Sequence, residues 1–357
     1  MHNKLLKARD LILRFGYNSV CYQIINPGIK LWFLKENAVI GYVENNGFRV
    51  VAGAPACAKK NLPEVVNAFE NDALKNNLRV CYFGAENRLA EILSERGPFD
   101  RLLLGAQPVW NPANWENILK SKSSLRAQLN RARNKGISVS EWKHSEVENR
   151  IFDFKNVLKE WLSTRGLPPL HFLVEPETLE RLYDRRIFVA VLKSEIVGFL
   201  IASPIPLKNG WLIEQFIRGF KAPNGTAELL VSEAILAFKN SGAEYATLGL
   251  SPLSQRAGFS QTNQSFLLKL LLTWTRAHGR RFYNFDGLDA FKAKFQPERW
   301  EPIYAISSEK HFSLKTLYAI AGAFSGISPV SLVAQAVLKA VKQEAEWLFK
   351  RNSKTFF

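Results

Sequence analysis

AVIGY at residues 38–42 and EIVGF at residues 195–199 are two versions of one short run, and the fold follows from what surrounds each. Each sits second in a set of strand-like segments. In the first half these are KLWFLK (30–35), AVIGYV (38–43) and FRVVAGAP (48–55), divided by turns such as Asn45-Asn46-Gly47. In the second half they are IFVAVLK (187–193), EIVGFLIASP (195–204) and WLIEQFIR (211–218), preceded by a helical pattern from Val147 to Arg165. Apolar and β-branched runs between Asn and Gly turns read as an antiparallel meander. A helix follows in both halves, over Leu62 to Asn76 and over Asn224 to Ser241, and then another strand, RVCYFGA (79–85) or AEYATLGL (243–250). A further helix and strand close each half: Leu89 to Ser94 with RLLLGAQPVW (101–110), and Phe266 to Ala277 with a strand through Tyr304 to Ile306. Internal duplication is the economical explanation.

Strands, helix, strand, helix, strand imply an α+β fold of mixed sheets covered by helices. That order resembles the acetyltransferase-like (GNAT) architecture, here in tandem. The chain divides on this reading into a domain at 1–119, a basic linker helix at 120–136, a second domain at 137–308 and a tail at 309–357. In acetyl-CoA-dependent members of that architecture, an RxxGxG/A loop cradles the pyrophosphate on backbone amides at a helix N-terminus. The equivalent segment here, Arg218 to Thr226, is longer, carries Pro223 and lacks the glycine spacing. A partial match at Gln255 to Gly258 follows the wrong strand. No cofactor is called for.

The linker, KSKSSLRAQLNRARNKG (120–136), carries Lys120, Lys122, Arg126, Arg131, Arg133 and Lys135 and no acidic residue. Leu125, Leu129 and Ala132 recur at helical spacing, so the stretch reads as one helix with a thin apolar stripe and a cationic remainder, ended by Gly136. It is either a solvated surface helix or a site for phosphates of RNA or lipid. The net charge of +16 favours polyanionic partners, nucleic acid or an acidic membrane face, without choosing between them. An apolar fraction of 47% is ample for two cores and excludes a disordered chain. Cys21, Cys57 and Cys81 show no CxxC spacing and suggest neither a disulfide framework nor zinc, which fits a reducing cytosol. The first sixteen residues alternate basic and apolar positions and read as a helix, not a signal peptide.

The runs IEQFIRGFKAPNGTAELL (213–230), LGLSPLS (248–254) and RRFYNFDGLDAFKAKFQPERWEPIYAI (280–306) resemble the C-terminal domain of the lysyl- and alanyl-phosphatidylglycerol synthases. GYNSVCYQ (16–23), VIGYV (39–43), VVAGAP (50–55) and LRAQLNRARNKG (125–136) are similar to it too, so the resemblance runs from about Gly16 to Ile306. It implies transfer of an amino acid from aminoacyl-tRNA to a lipid hydroxyl, such as that of phosphatidylglycerol, on the cytoplasmic face of the plasma membrane. The full-length synthases also carry a multi-helix membrane domain, and this sequence has none.

Such a transesterification must hold an ammonium group, stabilise an oxyanion and help a proton move between two oxygens. Lys292 and Lys294 are the first candidates: on a strand or extended loop, lysines two apart point the same way and can grip one group together. Arg218 closes a strand at the Gly-containing loop, where a planar guanidinium can bind phosphate or a carbonyl oxygen, or else pair with a carboxylate. In the family motif an acidic residue stands three positions before this arginine. Here that position is Gln215, and Glu214 next to it faces the other side of a regular strand. Asn224, Gly225 and Glu228 open the following helix, where Asn as a cap and Glu beside the helix dipole have a structural use as well as a substrate-binding one. Asp286 is a candidate for the substrate ammonium or an ordinary Asp-Gly turn. Lys122, Arg126, Arg131, Arg133 and Lys135 are the candidates for tRNA phosphates. His171 and His278 are isolated, and no metal is expected.

The apolar segment from Leu314 to Phe349 is broken at Ser325 to Pro329 and is too short on either side to span a bilayer, which takes about 20 residues. Its Lys, Arg, Trp and Phe content predicts an amphipathic helix on an anionic lipid surface, with packing on the domain or on a second subunit as the alternative. Two other functions share the fold: an acyl-CoA-dependent N-acyltransferase, and a non-catalytic module binding RNA or anionic lipid, which Gln215 keeps open.

Overall fold

The computed structural model describes residues 2–95, 100–164, 171–258, 285–309 and 312–325. Helix α1 (His2–Phe15) precedes the meander β1 (Lys30–Leu34), β2 (Ala38–Asn45) and β3 (Phe48–Ala52), and the short β4 (Ala56–Cys57) returns to β2. Helix α2 (Leu62–Lys75) leads to β5 (Arg79–Ala85), parallel to β3, and α3 (Asn87–Ser94) and β6 (Asp100–Trp110) follow. Next come α4 (Trp115–Ser121), α5 (Ser123–Asn134), β7 (Ile137–Trp142), α6 (His144–Asn149) and α7 (Ile151–Ser163). The second meander is β8 (Arg186–Leu192), β9 (Glu195–Ile205) and β10 (Gly210–Arg218). Helix α8 (Thr226–Asn240) then leads to β11 (Tyr245–Thr247), parallel to β10. The short β12 (Ser251–Pro252), α9 (Phe285–Ala293), β13 (Arg299–Ser307) and α10 (Leu314–Ser325) complete the described chain.

AVIGY and EIVGF occupy equivalent places, in β2 and β9, each flanked by antiparallel neighbours and each followed by a parallel strand–helix–strand unit. Their shared glycine has the same use in both, which is close approach. A Cβ on Gly41 would stand 2.4 Å from the Cβ of Ile24, and one on Gly198 would stand 2.7 Å from the carbonyl oxygen of Ile217.

All the described strands join one 13-stranded mixed sheet in the order β1-β2-β3-β5-β13-β6-β11-β10-β9-β8-β7, with β4 and β12 at its margins. The strand expected to finish the second half lies instead in the first, antiparallel between β5 and β6. Periodicity marks a strand but not its partner. Here the choice follows from the two faces of β13: Ala305 enters one first-half core, while Tyr304 and Ile306 enter the other. The far end of β6 then pairs with β11, placing Trp110 opposite Ala246 and carrying the sheet across both halves.

Helices cover both faces. In the first half, α1 and α10 bury Ile12, Ala319 and Ile320 on one side, and α2 and α3 bury Phe69 and Leu89 on the other. In the second half, α5 and α8 bury Leu129, Ile235 and Phe238, and α7 buries Phe154 and Val157. Each fully buried Phe contributes about 1.5–3 kcal/mol relative to exposure. The basic stretch is two helices rather than one, broken at Lys122, although Leu125, Leu129 and Ala132 are buried as their spacing predicts. The helix expected from Val147 to Arg165 is likewise split, at Arg150.

The start of the C-terminal tail is core, not an interfacial helix. Ala319, Gly322 and Ala323 give α10 a flat face, on which a Cβ at Gly322 would meet the Asn45 side chain, and Phe324 packs edge-on against Phe83 and Phe172. Residues 326–357 and the expected helix from Phe266 to Ala277 lie outside the described residues. Among the described residues, no helix is long and apolar enough to cross a membrane.

Candidate active site

Strand β10 ends at Arg218, and its chain turns into α8 through a loop fixed at both ends. The N–H of Phe220 donates to the Glu160 carboxylate of α7 at 2.8 Å, and the Thr226 hydroxyl donates to the carbonyl of Pro223 at 2.7 Å. Gly225 is the residue before the first turn of α8, at φ 98°, a left-handed value natural to glycine. Beside this loop opens a cleft of about 440 Å³. Gln128 and Arg131 of α5, Trp161 of α7, Phe216 and Arg218 of β10, Asn224, Gly225, Ala227 and Glu228 of the loop and helix start, and Phe291 of α9 line it.

Arg131 and Arg218 reach this cleft from separate elements, and neither side chain has a hydrogen-bond or ion-pair partner among the described residues. Deeper in, Glu228 accepts a hydrogen bond from Lys294, whose ammonium also donates to Gln128 Oε1 at 3.3 Å and lies 4.6 Å from the Phe291 ring centre. The Glu228 side chain is 12% exposed and that of Lys294 29%, so the pair is sheltered, with Glu228 the member that lines the cleft. Phe291 stacks on Phe216 with ring centres 5.1 Å apart, forming an apolar wall. The cleft therefore combines two guanidinium groups without a partner among the described residues and a held carboxylate, behind which stands the ammonium of Lys294. Such a set can bind phosphate, accept a proton and stabilise an oxyanion.

Arg218, Asn224, Gly225, Glu228 and Arg131 are thus brought together, with Lys294 on Glu228. Other expected site residues are not. Lys292 and Lys294 do not form a gripping pair, because the segment is the end of a helix, where residues two apart do not face the same way. Lys292 is 3% exposed and donates to the carbonyls of Gly249 and Leu250, both at 2.9 Å. Burial pushes its ammonium down to about 7, opposed by the charge of Asp289.

Glu214 is committed elsewhere: its carboxylate accepts from the buried Arg185 at 2.9 and 3.3 Å, and Arg185 also donates to Asn26 at 2.7 Å. A bulge between Ile213 and Gln215 breaks the alternation that set Glu214 and Gln215 on opposite sides. Gln215 donates to the carbonyl of Glu175 at 2.5 Å, and its buried Oε1 has no partner among the described residues. Asp286 lines a different pocket, of about 320 Å³, with Arg256 and Asp289. Asn224 is exposed and makes no capping bond, because Gly225 takes the cap position.

The basic helix is less free than its charge suggests. Arg126 folds back on the carbonyls of Leu119 and Lys120, and Arg133 pairs with Glu233 at 2.7 Å, while Lys135 is exposed and Lys122 half-buried. Sequence reading missed Gln128, Glu160 and Trp161. Gln128 was discoverable, since it stands one turn before Arg131 on the same helix. Glu160 and Trp161 carry no local signal, being placed by the packing of α7 on β9 and β10.

Residues 9–307 match the protein family described as phosphatidylglycerol lysyltransferase, C-terminal. The chain belongs to this family. A phosphatidylglycerol lysyltransferase of Staphylococcus xylosus is 24% identical over 320 residues, covering 87% of this chain and 36% of the relative. The chain spans about a third of the length of the curated relatives it matches. Among solved structures, the C-terminal domain of a putative lysylphosphatidylglycerol synthetase from Agrobacterium fabrum superposes with a TM-score of 0.77 at 22% identity, covering 91% of this chain and 98% of that one. L-PGS from Bacillus licheniformis gives a TM-score of 0.72 at 20% identity, covering 94% and 96%. At these identities the likeness is one of fold.

Proposed function

We propose that the chain is an aminoacyltransferase that takes an amino acid from aminoacyl-tRNA and places it on a hydroxyl of a phosphatidylglycerol-type lipid. The observation that carries this reading is the convergence of Arg131 and Arg218, two guanidinium groups unpartnered among the described residues, on a cleft lined by Glu228, which holds Lys294. Family membership supports the reaction class. The step is a transesterification. The lipid hydroxyl oxygen bonds to the aminoacyl carbonyl carbon, the bond from that carbon to the tRNA ribose oxygen breaks, and the hydroxyl proton ends on that ribose oxygen.

Glu228 is the group to relay the proton, and Lys294 is a compact donor for the oxyanion. Their ion pair holds both side chains in place before substrate arrives, so less ordering remains for the reaction itself. Arg131 and Arg218 bind substrate phosphate, and Lys122 and Lys135 add charge along α5 for tRNA. Lys292 supports the site from behind, by holding the carbonyls at residues 249 and 250.

The test is transfer itself. tRNA charged with each labelled amino acid in turn is incubated with the purified chain and phosphatidylglycerol vesicles, and label should pass into the lipid extract in an RNase-sensitive way. Label that stays in RNA with every amino acid, under conditions where a known transferase of the family is active, would contradict the proposal.

A further inference from the structure

We propose that the loop at residues 219–223 docks the cleft on an anionic lipid bilayer, with Phe220 as the side chain that enters the leaflet. This rests on the lipid-acceptor reading above and states where the lipid surface lies relative to the cleft. Phe220 is 68% exposed and stands two residues beyond Arg218. Its exposure is built in. The N–H of Gly219 donates to the carbonyl of Val197 at 2.9 Å, that of Phe220 to Glu160 at 2.8 Å, and that of Ala222 to the carbonyl of Gly219 at 3.2 Å. At Gly219 the Glu160 carboxylate comes in close, 2.5 Å from where a Cβ would stand, so a side chain there would displace the group that holds Phe220 N–H. A pinned backbone thus holds a large apolar ring out in water, 68% exposed.

One ring is too little for a protein interface of ordinary size but suffices as a wedge in a fluid apolar phase. The charges around it choose the sign of that surface. Arg131 and Arg218 have no ion-pair partner among the described residues, whereas Glu195 is paired with Lys221 and Glu228 with Lys294; Glu160 keeps its charge but turns it inward on Phe220 N–H. An apolar wedge beside unneutralised cations, on a chain of net charge +16, complements an anionic leaflet.

The test attaches an environment-sensitive fluorophore at Phe220→Cys and, as a control, at Leu74→Cys, a position 70% exposed on α2 in the other half. The native cysteines Cys21, Cys57 and Cys81 are buried. On phosphatidylcholine vesicles containing phosphatidylglycerol, the probe at 220 should shift to the blue and be quenched by nitroxide-labelled lipid, and the probe at 74 should do neither. Unlabelled Phe220→Ala should partition onto these vesicles about tenfold more weakly, the loss expected for one buried ring, and Phe220→Leu should recover most of it. A probe at 220 that stays in water on vesicles that have captured the protein overturns the proposal, as does Phe220→Ala partitioning like the unaltered chain. None of these readouts uses amino-acid transfer. A chain that docks through Phe220 yet transfers nothing supports the docking and refutes the reaction; transfer without insertion at 220 does the reverse.

Discussion

A Cβ on Gly225 would stand 2.5 Å from the carbonyl oxygen of Gln128, so α5 lies against the start of α8 as closely as two backbones allow. This contact sets Arg131, one turn after Gln128, on the wall of the cleft that Arg218 enters from β10. Gly225→Ala meets both a left-handed φ of 98° and that carbonyl. It should lower stability by roughly 2–4 kcal/mol, combining backbone strain with overpacking. Gly28→Ala is the control, with φ 81° and no atom within 4 Å. Urea unfolding of both variants separates the two contributions, and equal losses would mean that the α5–α8 contact is slack.

Lys292 gives stability a pH dependence. Its folded value of about 7 lies below the ordinary 10.5, so between these values the unfolded chain binds the extra proton. Stability from this group therefore rises from about pH 7 to about 10.5, is complete above the unfolded value, and is lost as pH falls through the folded one. Lys292→Met, which keeps the volume without the charge, should flatten that rise in denaturation midpoints measured across the window. A rise that persists in the variant would assign it to other groups.

Arg185 and Glu214 form a pair with side chains 0% and 2% exposed. Arg185→Met strands a buried carboxylate and should cost about 3–5 kcal/mol. Adding Glu214→Leu should restore part of that loss, because the stranded charge is gone. A double variant less stable than Arg185→Met would show that Glu214 contributes beyond this pair.

The repeat was legible in the sequence because AVIGY and EIVGF each carry a strand pattern with a glycine where a neighbour crowds in, and that signal is local. Family motifs likewise pointed to Arg218, Gly225, Glu228 and Lys294. What was not legible depends on chain segments far apart. The partners of β13 are set by two cores that draw on first-half residues such as Ile12, Phe69 and Leu102 and, in one of them, on Phe172, Ala319 and Ile320 as well. The separate fates of Lys292 and Lys294 follow from a helix where an extended segment was expected, and the burial of Glu214 follows from Arg185 and a bulge that no local pattern marks. Charge counting along α5 overstated its free cations, because Glu233 and the carbonyls of Leu119 and Lys120 occupy two of its arginines.

Arg131→Ala and Arg218→Ala should each weaken binding of aminoacyl-tRNA or anionic lipid and reduce its salt dependence by about one released counterion per lost phosphate contact. Arg126→Ala and Arg133→Ala should do less, since those side chains already have partners within the chain. Salt titrations of binding check this, and equal effects from all four would favour a diffuse basic surface over the cleft.

The most direct measurement is single-turnover transfer of a labelled amino acid from saturating aminoacyl-tRNA to phosphatidylglycerol, comparing the unaltered chain with Lys294→Ala and Glu228→Gln. Both variants should bind the two substrates and yet transfer more slowly by on the order of a hundredfold, the usual cost of losing a group that acts mainly in the transition state. Folded Lys294→Ala and Glu228→Gln proteins that transfer at the unaltered rate would contradict the placement of the chemistry in this cleft.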